Sequence, residues 1–245
     1  MQIAIVLYPG VTALDAVGPY ELLRLLPDAD VRFVGAEPGP VVADSGVLFL
    51  GVTHGYEHTP APDVVLVPGS GPRTATTMAD RRLVAWLQQV HRTTSWTTSV
   101  CTGAMILAAA GLLEGVPATT HWNVQAGLAA MGAVPQRDER IVQAGKIVTA
   151  AGVSAGIDLG LWLVGQIAGR EHAETAQLYI EYDPRPPFDA GHPSKASRPT
   201  REAATRLARS IAVNGSEVRA VPVVAWRRAV SRFQAAADRR AGGRR

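Results

Sequence analysis

Runs of mostly β-branched or aliphatic residues occupy positions 2–7 (QIAIVL), 31–36 (VRFVGA), 64–68 (VVLVP) and 96–100 (WTTSV). Each is one strand long and ends at Gly, Pro or a sharp turn. Such unbroken apolar runs predict strands of a largely parallel sheet buried on both faces. Between them, residues 15–26, 80–91 and 103–113 carry apolar side chains at helical spacing, the last with Ala, Met, Ile and Leu on one face. Strand and helix alternate, which predicts an α/β fold.

Further along, Ala144-Gly145-Lys146 separates two alternating runs within residues 141–150, the pattern of a hairpin. Ser154 then opens a long apolar helix to about Gly169, expected at the centre of the fold. Residues 183–199 hold Pro184, Pro186, Pro187, Pro193 and Pro199, too many ring-locked positions for helix or sheet, and predict an extended strap. Residues 201–211 and 225–237 show Ala, Leu, Val and Trp226 against arginines and predict two helices of a short appendage. The expected organisation is one α/β domain over residues 1–195, including the strap, and a basic helical tail over 200–245. No repeat of 20 to 50 residues occurs, and low complexity is confined to residues 241–245.

Composition adds three constraints. With 47% hydrophobic residues in 245, the chain can bury a sizeable core. Residues 1–9 lack the basic region and cleavage site of a signal peptide, and the apolar stretch 157–168 contains Asp158 and Gln166 and falls short of the roughly 20 residues of a membrane span, so a soluble protein is expected. The net charge of +3 is uneven: from Ala196 onward there are 12 Arg against 3 acids, so a basic tail follows an acidic body. A nucleic-acid surface and a solvated helix salt-bridged to its own body both fit that asymmetry.

One cysteine excludes an internal disulfide and any metal site built on paired thiolates, and points to a reducing cytoplasm. Cys101 is then either packing or chemistry. It stands at the carboxyl end of the 96–100 strand, directly before a helix, with Gly103 two places on. This is a nucleophile-elbow pattern, which lifts the thiol above the sheet edge and aims the first helical N–H groups at sulfur, lowering its pKa below about 8.5. A packing cysteine would sit within a strand or on a helix's inner face.

Two more loops follow strands toward the same edge. Asp15 lies just after the first strand, where it can approach Cys101 or simply cap the next helix. Gly69-Ser70-Gly71 follows the third, and its backbone N–H groups either hold a polarised substrate atom or form only a turn. Neither a phosphate-loop nor a dinucleotide pattern is present. His121, in Thr119-Thr120-His121-Trp122, is the candidate imidazole for a Cys–His pair or a substrate contact, while Thr102, right after Cys101, can donate a hydrogen bond but cannot serve as a base. The histidines show no metal-ligand spacing, including His54 and His58, so neither metal nor cofactor is expected.

These residues together resemble the ThiJ/PfpI superfamily and, within it, the isonitrile hydratases. The segments that carry the resemblance are Asp15-x-x-Gly18-Pro19-x-Glu21, Ser99-Val100-Cys101-Thr102-Gly103, Ala118-Thr119-Thr120-His121-Trp122, Ser154-Ala155-Gly156-Ile157-Asp158 and Glu181-Tyr182-x-Pro184-x-Pro186-Pro187-Phe188-x-Ala190-Gly191. Thr102 stands where protease-like members carry His, Asp15 where several others carry Glu, and Ser70 where hydratase-like members carry a second Gly.

The resemblance implies a flavodoxin-like fold related to class I glutamine amidotransferase domains, with helices on both faces of a mostly parallel sheet. It also implies a homodimer with the strap near the interface. The chemistry it implies is hydration of an isonitrile through a Cys101 thioimidate, with Asp15 moving protons and sharing one with the thiol. A second implied reading is the sensor half of AraC-type transcription regulators, but the basic tail offers only about 50 residues with no convincing second helix-turn-helix, so nucleic acid is not the expected partner. A third is a glyoxalase-like or redox-sensing thiol.

Overall fold

The computed structural model describes residues 1–212 together with residues 220, 224 and 225. Its strands are β1 (Gln2–Val6), β2 (Asp30–Gly35), β3 (Gly39–Val42), β4 (Phe49–Val52), β5 (His54–Gly55), β6 (Val64–Val67), β7 (Trp96–Val100), β8 (Pro117–Ala118), β9 (Val134–Pro135), β10 (Ile141–Ala144) and β11 (Ile147–Ala150). Its helices are α1 (Ala13–Leu23), α2 (Thr74–Met78), α3 (Arg81–Val90), α4 (Gly103–Ala109), α5 (Gln125–Ala130), α6 (Ala155–Ala168), α7 (Arg170–Tyr179) and α8 (Arg198–Ala212).

Seven strands form the central sheet in the order β10-β11-β7-β6-β1-β2-β5. All neighbours are parallel except the β10–β11 hairpin, which turns at Gly145. Ile3 to Val6 and Val64 to Val67 are wholly buried, as the two-face apolar runs require. From β1 the chain crosses through α1 to β2, whereas from β6 it crosses through α3 to β7 on the opposite side. Right-handed crossovers in opposite directions put α1 and α3 on opposite faces of the sheet. The direction of travel reverses between β1 and β6, and ligands of open α/β sheets bind beyond the carboxyl ends of the strands at such a reversal. The loops after β1, β6 and β7 meet there.

The four leading strands, the hairpin and the long apolar helix stand where the residue pattern places them. Helix α1 begins two residues earlier than expected and ends at Leu23, and α4 stops at Ala109. The β3–β4 hairpin, β5, and helices α2, α5 and α7 are additions that the pattern did not single out.

The strap is irregular only to Ser197. Pro199 belongs to the first turn of α8, where a missing N–H costs no helical hydrogen bond. The Ser197 hydroxyl accepts from the Thr200 N–H at 3.3 Å and starts that helix. At its other end the strap is fastened by Tyr182, whose Oη donates to Asp158 on α6 at 2.7 Å, and Arg140 pairs with the same carboxylate. The helix expected over 225–237 and the closing residues 241–245 lie outside the described residues, apart from residue 225.

Candidate active site

β7 ends at Val100, and the next residue, Cys101, takes φ +58°, a left-handed conformation that costs a non-glycine residue on the order of 1–2 kcal/mol. Its backbone is held on both sides. The N–H donates to the carbonyls of Ala150 at 3.2 Å and Ala151 at 2.8 Å, and the carbonyl accepts from the Thr120 hydroxyl at 2.8 Å. Two residues on, a Cβ at position 103 would collide with the backbone carbonyl of Val67, so only glycine lets α4 start this close to β6. Cys101 is 5% exposed and touches the core. Yet it also lines a cavity, and a merely space-filling cysteine has no need of a strained backbone. The elbow expected from the sequence is therefore present.

Asp15 is wholly buried in the first turn of α1 and does not cap it, because Thr12 occupies the N-cap position. Its Oδ2 accepts from the Gly69 N–H at 2.9 Å. Its Oδ1 is buried with no hydrogen-bond partner among the described residues, and the carboxyl lies close enough to the Cys101 thiol for each to shift the other's pKa. Sequence left Asp15 open between capping and pairing with Cys101; the structure puts Thr12 at the cap and the Asp15 carboxyl beside the thiol.

The Gly69-Ser70-Gly71 loop fixes this pair. The Gly69 donor is committed to Asp15, and the Ser70 N–H donates to Thr102 Oγ1 at 2.8 Å. Thr102 Oγ1 in turn donates to the Ser70 carbonyl at 3.0 Å and lies 2.9 Å from the Thr74 hydroxyl. The Ser70 hydroxyl donates to the Gly10 carbonyl at 2.5 Å and accepts from the Arg73 N–H at 2.9 Å, tying the β1 and β6 loops together. A Cβ at Gly69 would press on both Thr102 and the Asp15 carboxylate. Two of the loop's N–H groups thus position Asp15 and Thr102 rather than facing the cavity freely, which leaves Gly71 as its pocket-lining glycine.

Burial shapes the proton chemistry more than the helix end does. Loss of water pushes the Cys101 thiol well above its usual pKa and the Asp15 charge pushes it further, while the N–H groups of Val153 and Thr102 pull the other way without winning. The expectation of a lowered thiol pKa is corrected accordingly: the sequence shows a helix start but not how deep it is buried. Burial likewise raises Asp15 to about 7, with the Gly69 N–H and the thiol partly opposing and Asp44 adding to the rise. At neutral pH the pair therefore keeps a proton on sulfur beside a carboxyl balanced between its two forms.

The cavity above the pair has a volume of about 560 Å³. Thr12, Asp44, Ser70, Thr102 and Cys101 make its polar end, and Met78, Met105, Val124 and Met131 are among its apolar walls. His121 also lines it. Burial lowers the His121 pKa, and the Asn123 side chain 2.5 Å from Nδ1 partly restores it and engages that ring nitrogen. It is a pocket wall rather than half of a Cys–His pair.

Two residues of the site escaped the sequence reading. Asp44, beyond β3, accepts from the Thr12 hydroxyl at 2.6 Å. Tyr8, at the end of β1, donates to the Pro68 carbonyl at 2.8 Å, and burial followed by the nearby Asp15 and Cys101 holds its hydroxyl protonated. Tyr8 at a strand's carboxyl end carried a weak signal; Asp44, in a loop with no motif, carried none.

Comparison with known proteins agrees with this fold. Residues 1–166 match the family model described as the DJ-1/PfpI family. The chain is 41% identical over 212 residues to isonitrile hydratase from Pseudomonas putida, covering 86% of this chain and 92% of that one. It is 32% identical over 174 residues to the HTH-type transcriptional regulator CdhR from Pseudomonas aeruginosa, covering 68% of this chain and 51% of the regulator. Among solved structures, a ThiJ/PfpI family protein from Pseudomonas syringae superimposes with a TM-score of 0.83 at 35% identity, over 91% of this chain and 90% of that one.

Proposed function

Because the chain belongs to the DJ-1/PfpI family and sets a strained thiol against a buried carboxyl in a mostly apolar cavity, we propose that it hydrates isonitriles to N-substituted formamides. The observation that carries this reading is the buried Asp15 carboxyl set beside the Cys101 thiol at the cavity, with the carboxyl raised to about 7. An isonitrile carbon accepts a soft nucleophile and then needs a proton. As the C–S bond forms, the thiol proton passes to Asp15 and from there to carbon, giving the thioimidate S–CH=N–R. Asp15, ionised again, takes a proton from water as the water oxygen adds to that carbon, and passes this proton to nitrogen. The C–S bond breaks, sulfur leaves with its electron pair, the hydroxyl proton returns through Asp15 to sulfur, and R–NH–CHO departs with the thiol restored. A carboxyl that titrates near neutrality can give and take the proton in one cycle. Thr102, its hydroxyl bound to both the N–H and the carbonyl of Ser70, holds the loop in place, and Gly71 offers a backbone contact.

Other features support this reading over its competitors. No Lys or Arg among the described residues lines the cavity, which suits an uncharged substrate. A buried thiol with a raised pKa is poorly suited to redox sensing, which favours exposed thiolates. The match to the hydratase is higher in identity and longer than the match to the regulator.

Purified protein is expected to convert a simple aliphatic isonitrile to its formamide, read by chromatography of the product. Absence of product from a folded protein with an intact thiol would remove the hydratase reading.

A homodimer belongs to the same proposal, with Phe188 of the strap, 81% exposed, near the interface. Light scattering is expected to give twice the chain mass of 25.9 kDa, and a monomer would contradict it. A reducing, cytoplasmic setting fits the free thiol of Cys101. No helix among the described residues is long and apolar enough to cross a membrane.

A further inference from the structure

The arginine-rich helix after the strap reads in sequence as an appendage, yet it reaches the active site. Ala208 and Ile211 of α8, together with Val224, line the same cavity as Cys101. Ile211 packs so closely on Gly71 that a Cβ there would lie 2.8 Å from its Cγ2. The strap fixes the helix in this position: Arg201 Nη1 donates to the carbonyls of Pro193 at 3.0 Å and Ala196 at 2.5 Å. Arg201, Thr205 and Ala208 are the less exposed positions of the helix, at spacings of four and three, so one stripe faces the body and the other arginines face outward.

Addition to an isonitrile carbon occupies only the polar end of the site. The whole cavity, about 560 Å³, is far more than a methyl isonitrile needs and lies in the range of about 300–1,000 Å³ that holds drug-sized ligands. Its walls are flexible methionines from α2 and α4 and, at Met131, the turn after α5, with α8 closing them over.

We infer that α8 is the specificity wall of the site, with Ala208 and Ile211 selecting substrates whose nitrogen bears a bulky, uncharged, apolar group. This rests on the hydratase reading for the identity of the reacting group, but not for the size or polarity of the remainder.

The test uses the full chain and reads binding and turnover separately. Calorimetry with N-(1-adamantyl)formamide and N-methylformamide, both unreactive products, measures the wall; turnover of the two matching isonitriles measures the chemistry. The parent protein should bind the adamantyl compound at least about ten-fold tighter, since each buried methylene contributes several-fold. Ala208→Trp should remove that preference while changing N-methylformamide affinity less than about two-fold. Ile211→Ala alters a side chain that is 47% exposed and is tolerated by the fold; it should weaken the bulky ligand about five-fold and leave the small one unchanged. Equal binding of the two ligands by the parent, or equal shifts for both in Ile211→Ala, would overturn the inference. Size-selective binding without turnover of either isonitrile would uphold the wall and sink the hydratase reading.

Discussion

Cys101→Ala is expected to reduce formamide formation by at least about 10³-fold with little loss of fold, because no other thiol nucleophile among the described residues lines the cavity. The substituted side chain is small and buried, and its backbone stays anchored by Ala150, Ala151 and Thr120 whatever stands at the position. Urea unfolding should therefore place the variant within about 2 kcal/mol of the parent. Cys101→Ser separates nucleophilicity from polarity. Its hydroxyl keeps a polar, protic group beside Asp15 but is a far weaker nucleophile toward a soft carbon, so the loss should be of similar size. A serine variant with near-parental turnover would mean that the thiol is not the attacking group, and that the strained turn serves only to hold Asp15.

How far sequence alone reaches is visible in the contrast between β1 and β3. The QIAIV strand is apolar on both faces and can only be buried, whereas GPVV is short, half exposed and interrupted by Pro40, so no period distinguishes it from a loop. That hairpin matters, since it delivers Asp44 to the site. Cys101 is legible because it directly follows an unmistakable strand, and Asp15 because it lies one loop beyond another, and parallel strands bring their carboxyl ends to one edge.

What local sequence does not encode is depth. The elbow motif shows that helical N–H groups approach the sulfur, but whether they prevail depends on how much water the rest of the fold removes. In this protein, burial by β6, α1 and their loops reverses the expected sign. The same holds for α8, whose arginines suggest a solvated tail, while its small and apolar residues complete a pocket that also draws on residues from Thr12 to Val153. His121 illustrates a milder case, correctly placed at the cavity but engaged with Asn123 rather than with sulfur.

Asp15→Asn should separate activity from stability in opposite directions. The amide can still accept from the Gly69 N–H through its oxygen, but it can neither take the thiol proton nor activate water, so turnover is expected to fall at least about 10²-fold. For the parent, activity should rise with pH through about 7 as Asp15 ionises beside the protonated thiol, and that rising limb should vanish in the variant.

Stability follows the opposite course. A carboxyl with an ordinary pKa of 3.8 that is held at about 7 in the fold binds more protons folded than unfolded between those values. The parent should therefore lose stability as pH rises from about 4 to 7 and stay penalised above that, by on the order of 4 kcal/mol at most, since Cys101 shares the proton. Asn carries no charge to bury and escapes the penalty. Urea unfolding at pH 8 should find Asp15→Asn more stable than the parent by a few kcal/mol, with the gap closing toward pH 5. A variant less stable at pH 8, or a gap that widens in acid, would show that the Asp15 carboxylate stabilises the fold rather than being held in it at a cost for the chemistry.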